Sequence, residues 1–210
     1  MHLYVKTMAY VKNMAAWPGA GLALIVLMLP GLVRADVVGD AEDWFNKIST
    51  MQADFIQVAS DGSTASGVIH LRRPHQMKIV YDLEEPLILL TTRIWIHVDR
   101  PNDRTVTSYP ISETPLSLLL KKEVRLRSDA FTTSSNVENG IVRVLLAKET
   151  GEAAGELTLE FTEKPFVLRK WTIRDAADVT TTVTLQNMRF GHQYENRMFA
   201  RPDYTLTGSN

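Results

Sequence analysis

The chain has 210 residues, with 23 Lys and Arg against 24 Asp and Glu, a formal charge of −1, and no cysteine. That balance argues against the dense positive field that binds nucleic acid or a strongly anionic membrane surface. Without cysteine there is no disulfide, thiol nucleophile, cysteine metal site or lipid-modified cysteine anchor.

Residues 1–35 read as a removable export signal. Lys6 and Lys12 make a basic start, and Ala20 to Val33 is an apolar run interrupted by Gly21, Pro30 and Gly31. Val33-Arg34-Ala35 then offers cleavage after Ala35. The run falls short of the roughly 20 apolar residues of a membrane span. The expectation is therefore an exported, soluble protein without stable membrane insertion; a retained signal anchor is the alternative. The leader carries three cations and no anion, so its loss takes the charge from −1 to −4. Residues 36–210 remain as a single domain long enough for a sizeable core.

Asp40 to Ser49 reads as a short amphipathic helix. Asp40, Glu42 and Asp43 suit its amino end, and Ala41, Trp44, Phe45 and Ile48 recur at helical spacing. From Met51 the period becomes two, until Asp61-Gly62-Ser63 turns the chain. The next strand, Gly67 to Arg73, puts Gly67, Ile69, Leu71 and Arg73 on one face and Val68, His70 and Arg72 on the other. Pro74 ends it, having no N–H to donate. Arg73 thus closes an apolar row. It is either a solvated strand end or a cation that needs fixed acceptors, since its guanidinium stays charged and carries five donors.

Strands follow over Gln76–Tyr81, Leu87–Thr92 and Arg93–Val98. Arg100-Pro101-Asn102-Asp103 is a turn signal, and Asp99, Arg100 and Asp103 near it are no better candidates for partner contacts than any solvated loop. After the short strand Thr105–Tyr109, Thr114-Pro115 opens a brief leucine-rich helix. Leu116, Leu119 and Leu120 fall on one side of it, with Lys121 and Lys122 at its carboxyl end. Strands at Ile141–Ala147, Glu156–Phe161, Phe166–Ile173 and Val179–Asn187 complete the chain. About ten short strands at regular spacing predict a mainly β (α+β) fold, a meandering antiparallel sheet that is curled or closed.

No catalytic group stands out. His70, His75, His97 and His192 show no metal-ligand spacing, so no metal site is expected. Glu84 and Glu85 point apart in an extended chain, and there is no nucleophile elbow or phosphate-cradling loop. Neither enzyme activity nor a cofactor is expected. Trp44, Trp95 and Trp171 read as core, for want of interleaved basic residues. Leu71, Met77, Ile79, Leu89 and Ile96 would line the concave face of a curved sheet, with the leucine helix over them. That arrangement is either a packed core or a hydrophobic pocket, which periodicity does not distinguish.

Four blocks bear on that choice: Met51-Gln-Ala-Asp-Phe-Ile-Gln57, Ser66-Gly67 leading to Leu71-Arg-Arg-Pro74, Ile94-Trp95-Ile96, and Thr114-Pro-Leu-Ser-Leu-Leu-Leu120. In these blocks and their spacing, from about Ala41 to Tyr204, the chain resembles the periplasmic outer-membrane lipoprotein carrier (LolA) family. Ile79 stands where that family usually has an aromatic, and Thr91-Thr92-Arg93 replaces its Ser-Asp-Gly turn. The resemblance implies an incomplete, strongly curved antiparallel barrel with a short-helix lid over a hydrophobic cavity. It implies acylated lipoprotein cargo, loading by an inner-membrane ATP-driven exporter and delivery to an outer-membrane receptor. Arg73 matches the arginine that latches the family's lid. Two other readings stay open: a carrier of another lipid, such as a glycolipid or isoprenoid, and a module that senses lipids or lipoproteins and regulates a partner.

Overall fold

Turn residues divide the chain into strands short enough to pair with their sequence neighbours, and nearly the whole sheet is built that way. The computed structural model describes residues 36–151 and 154–204, which fall within one unit of the chain. The expected leader lies outside the described residues. Helix α1 (Val37–Lys47) precedes β1 (Thr50–Ala59), β2 (Thr64–Arg72), β3 (Gln76–Tyr81), β4 (Ile88–Thr91), β5 (Trp95–Arg100) and β6 (Thr105–Pro110). Two short 3-10 segments follow, Ile111–Glu113 and Pro115–Leu120. Then come β7 (Thr132–Glu138), β8 (Ile141–Lys148), β9 (Gly155–Thr162), β10 (Val167–Asp175), β11 (Thr180–Phe190) and a last 3-10 turn, Asn196–Phe199.

The strand order is β6-β5-β4-β3-β2-β1-β11-β10-β9-β8-β7, antiparallel throughout. Two meanders are thus joined through β1 and β11, and the sheet is curled but unclosed, with β6 and β7 as its edges. This is the incomplete barrel that the family resemblance implies, with one strand more than the pattern predicted. The addition, β7, has the sequence Thr-Thr-Ser-Ser-Asn-Val-Glu and is exposed along most of its length. An edge strand wetted on both faces has no apolar alternation to betray it.

Several features bend the sheet. Register slips between Gln52 and Asp54 on β1 and between Leu168 and Lys170 on β10, and such bulges increase local twist. Gly67 lets β2 and β3 approach closely, since a Cβ there would come within 2.1 Å of the Val80 carbonyl oxygen and 2.9 Å of the Phe55 ring.

The concave face carries the core. In the first meander, Met51 pairs with Leu71 and Leu71 with Met77, while Ala53, Ile69, Ile79 and Leu89 form the next row. In the second, Leu157, Leu159 and Phe161 point inward and Glu160 points out, reaching Lys170 at 3.1 Å and Arg143 at 3.6 Å. Helix α1 closes this side. Asp36 caps it by accepting from the Gly39 N–H at 3.1 Å, and Val38, Ala41 and Phe45 are buried. Trp44 and Phe45 meet Phe161 edge-on at 5.7 and 6.2 Å, and Phe166 stacks on Phe161 at 4.8 Å.

The convex face departs from expectation. Residues from Tyr194 to Tyr204 lie along it as a strap and cover Arg72, on the face opposite Arg73, and Asp99, beside the predicted turn. Arg72 donates to the Tyr194 carbonyl and the Asn196 side chain, both at 3.1 Å, and sits over the Phe199 ring at 4.7 Å. Asp99 lies inside β5 and is 2% exposed, accepting from the Tyr204 hydroxyl at 2.7 Å, so it is no loop residue. Trp95 at the start of β5 is left uncovered, 43% exposed, whereas Trp171 is core. Period-two alternation shows which way a side chain points, not whether a distant segment returns over it.

The strap also predicts a pH response. Burial, with Lys78 and His192 nearby, pushes the His70 imidazole below the ordinary histidine range. Burial does the same to His97, helped by Arg201. The unfolded chain therefore binds these protons more readily, so stability should be full above about pH 6.5 and fall as the pH drops from there toward the folded values. Denaturant midpoints across pH 5.5 to 7.5 check this. His70→Gln should flatten the slope, and an unchanged slope in both His70→Gln and His97→Gln would refute it.

Candidate functional site

Helices expose unpaired carbonyls at their carboxyl ends, and two such ends meet beside Arg73. One belongs to α1, the other to the segment Pro115–Leu120. Arg73 follows the last residue of β2, and its own N–H donates to the Ser49 carbonyl at 2.8 Å, which anchors its backbone. Its Nη1 donates to the Phe45 carbonyl, and its Nη2 donates to the Lys121 carbonyl at 2.6 Å. Longer contacts at 3.4 Å reach the Asn46 side chain and the Lys122 carbonyl. Among the described residues Nε has no partner. Of the two readings the pattern left open for Arg73, the fixed acceptors are therefore present. Partial burial lowers the guanidinium pKa.

Arg73 is reinforced by neighbours that sequence reasoning missed. Asn46 pairs with the Val124 backbone in both directions, at 2.8 and 3.0 Å. Glu42 accepts from the Leu126 and Arg127 N–H groups at 2.6 and 3.1 Å. The His75 N–H donates to the Leu120 carbonyl at 2.8 Å. Residues 120–127 are thus stitched to α1 and to the β2–β3 turn. A polar residue on a helix gives no sequence signal that its partner is a backbone some 80 positions away.

The segment itself is a 3-10 helix rather than an α-helix. Thr114 caps it, accepting from the Leu116 N–H at 3.3 Å, with Pro115 in its first turn. With three residues per turn, side chains three apart line up, so Leu116 stands over Leu119 and Ser117 over Leu120. Leu118, Leu119 and Leu120 are all buried.

Beneath lies a cavity of about 40 Å³ with an almost wholly apolar wall. Leu116, Leu119 and Leu120 close it from above, Leu71 and Met77 line it with Met51 and Ile69, and Trp44, Phe45, Leu168 and Trp171 complete it. Ile79, Leu89 and Ile96 are not part of that wall; they continue the same apolar face of β3, β4 and β5 beside it. Sequence reasoning passed over Leu168 and Trp171 because they arrive from the other meander. Among the described residues no three His, Asp or Glu side chains are grouped to hold a metal ion, and no helix is long and apolar enough to cross a membrane.

Residues 46–202 match the family described as outer membrane lipoprotein carrier protein LolA. An outer-membrane lipoprotein carrier protein of Methylobacillus flagellatus is 29% identical over 121 residues, 52% of this chain and 58% of that protein. The match thus spans less than two thirds of the relative's length. Among solved structures, an uncharacterized conserved protein from Thermus thermophilus superposes with a TM-score of 0.51 at 7% identity, covering 81% of this chain and 95% of that one. A LolA superfamily protein from Nitrosomonas europaea gives a TM-score of 0.45 at 7% identity, covering 78% and 97%.

Proposed function

Since the chain belongs to the family of outer membrane lipoprotein carrier proteins LolA, we propose that it carries acylated lipoproteins through the periplasm. In this reading an inner-membrane ATP-driven exporter loads it and an outer-membrane receptor unloads it. The observation that carries the reading is an apolar cavity plugged by three leucines on a segment held by Arg73.

The volumes say how such a carrier would work. A cavity of about 40 Å³ is far smaller than ligand pockets, which usually run to about 300–1,000 Å³. Acyl chains therefore enter only if Pro115–Leu120 lifts, so the segment serves as a lid. Lifting it replaces leucine side chains by acyl methylenes, apolar for apolar. Each methylene removed from water contributes about 0.8 kcal/mol. The carbonyl bonds of Arg73 and the burial of Leu119 and Leu120 are lost in exchange, so net affinity stays moderate and cargo can be handed on.

The test is to isolate the protein from its native compartment under gentle conditions and identify what travels with it by mass spectrometry. Acylated lipoprotein is the expected companion. Free glycolipid or isoprenoid would replace the lipoprotein reading by that of another lipid carrier. A protein partner without acyl chains would point to the sensing module instead.

A further inference from the structure

The lid has a second side. Outside it runs a groove of about 610 Å³, far larger than the cavity beneath. Leu120 belongs to both. The groove has an apolar floor of Pro115, Leu118 and Phe131, with Ser112, Ser117 and Ser128 among its polar lining. Four cationic side chains stand around it, Arg93, Lys121, Arg125 and Lys148, against one carboxylate, Glu123. That carboxylate is already engaged by Arg125 at 2.9 Å, whereas Arg93 and Lys121 make no ion pair among the described residues.

Arg93 and Lys121 thus leave a local positive excess over an apolar floor, on a chain whose net charge is −1. Cations beside hydroxyls, above an apolar floor, match a phosphate-type anion attached to something greasy. Lys121 also ties the groove to the lid, since its carbonyl accepts from Arg73 while its side chain lines the groove.

We propose that this groove binds the anionic, phosphate-bearing headgroup of an amphiphile whose acyl chains occupy the cavity beneath the lid. The proposal goes beyond the lipoprotein reading, whose acylated cysteine carries no phosphate: it takes the cavity from that reading and assigns it a lipid with a phosphate headgroup. A bound headgroup would contact Lys121, next to the carbonyl that Arg73 holds, so that headgroup and acyl chains act on the same segment.

Calorimetry with four probes tests it: dioctanoyl phosphatidic acid, dioctanoyl phosphatidylcholine, dioctanoylglycerol and glycerol phosphate. The phosphatidic acid should bind about tenfold tighter than the phosphatidylcholine, a preference that shrinks as salt is raised. The double variant Arg93→Ser, Lys121→Ser removes exposed side chains and should erase that preference, so that phosphatidic acid binds no tighter than phosphatidylcholine. Arg93→Lys should keep it. Equal affinities in the native protein, or a preference that survives the double variant, would overturn the proposal. Glycerol phosphate binding as tightly as phosphatidic acid would overturn the headgroup assignment in favour of a free anion. If the acyl probes fail while glycerol phosphate binds in an Arg93- and Lys121-dependent way, the cavity reading falls and the anion site alone stands.

Discussion

Arg73→Leu is expected to leave the sheet folded and to free the lid. The substitution strips the Arg73 hydrogen bonds from the Phe45 and Lys121 carbonyls; the Phe45 carbonyl keeps the Ile48 N–H at 3.2 Å, whereas an aliphatic side chain offers Lys121 nothing in exchange. Bonds to a charged donor contribute about 1.5–3 kcal/mol each when buried. Here the side chain is only half-buried, and water reaches the freed carbonyls once the lid lifts. A net shift of about 1–3 kcal/mol, roughly 5- to 150-fold in the ratio of open to closed lid, is the scale to expect. Because the closed empty state competes with the loaded one, weakening it raises apparent affinity for acyl chains and slows their release. Hydrogen exchange should accelerate for amides 116–127, and handover of bound lipoprotein to a receptor should slow. Native exchange together with a native handover rate would remove Arg73 from this role.

Phe161→Ala is expected to give the largest loss of stability. Phe161 is fully buried on β9 and packs against Trp44, Phe45 and Phe166. Truncating such a side chain leaves a cavity between helix and sheet and costs about 3–5 kcal/mol. Most domains are stable by about 5–15 kcal/mol in all, so the variant should be marginal in urea. The damage should also reach the site, because the helix that rests on Phe161 presents the Phe45 carbonyl and Asn46 to Arg73. In conditions where it remains folded, the variant should show faster exchange in residues 116–127 than Leu157→Ala, a change on the same strand whose side chain makes none of these ring contacts. Equal exchange in the two variants would show that α1 does not transmit support to the lid.

Much of this was legible in the residues themselves. Clean alternation at Leu157, Leu159 and Phe161 placed a core strand, and Thr114-Pro115 placed the start of the lid segment. Pro74 marked the end of β2 beside Arg73, where the row's direction was readable too. These are local signals, set by side-chain period, by capping chemistry and by a missing N–H.

What escaped the sequence was non-local. Asn46 and Glu42 serve backbone groups about 80 residues away, and Leu168 and Trp171 reach the cavity from the other meander. The strap buries Asp99 and engages Arg72 because residues 194–204 return over β3–β5. The sequence by itself determined most of the strands, which way Arg73 points and where the leucines cluster, since each depends on near neighbours. Only the tertiary structure decided what Arg73 holds, that its acceptors lie at the carboxyl ends of α1 and of the Pro115–Leu120 segment, and how little space that segment leaves. Those depend on where distant backbone carbonyls come to rest, and no periodicity records that.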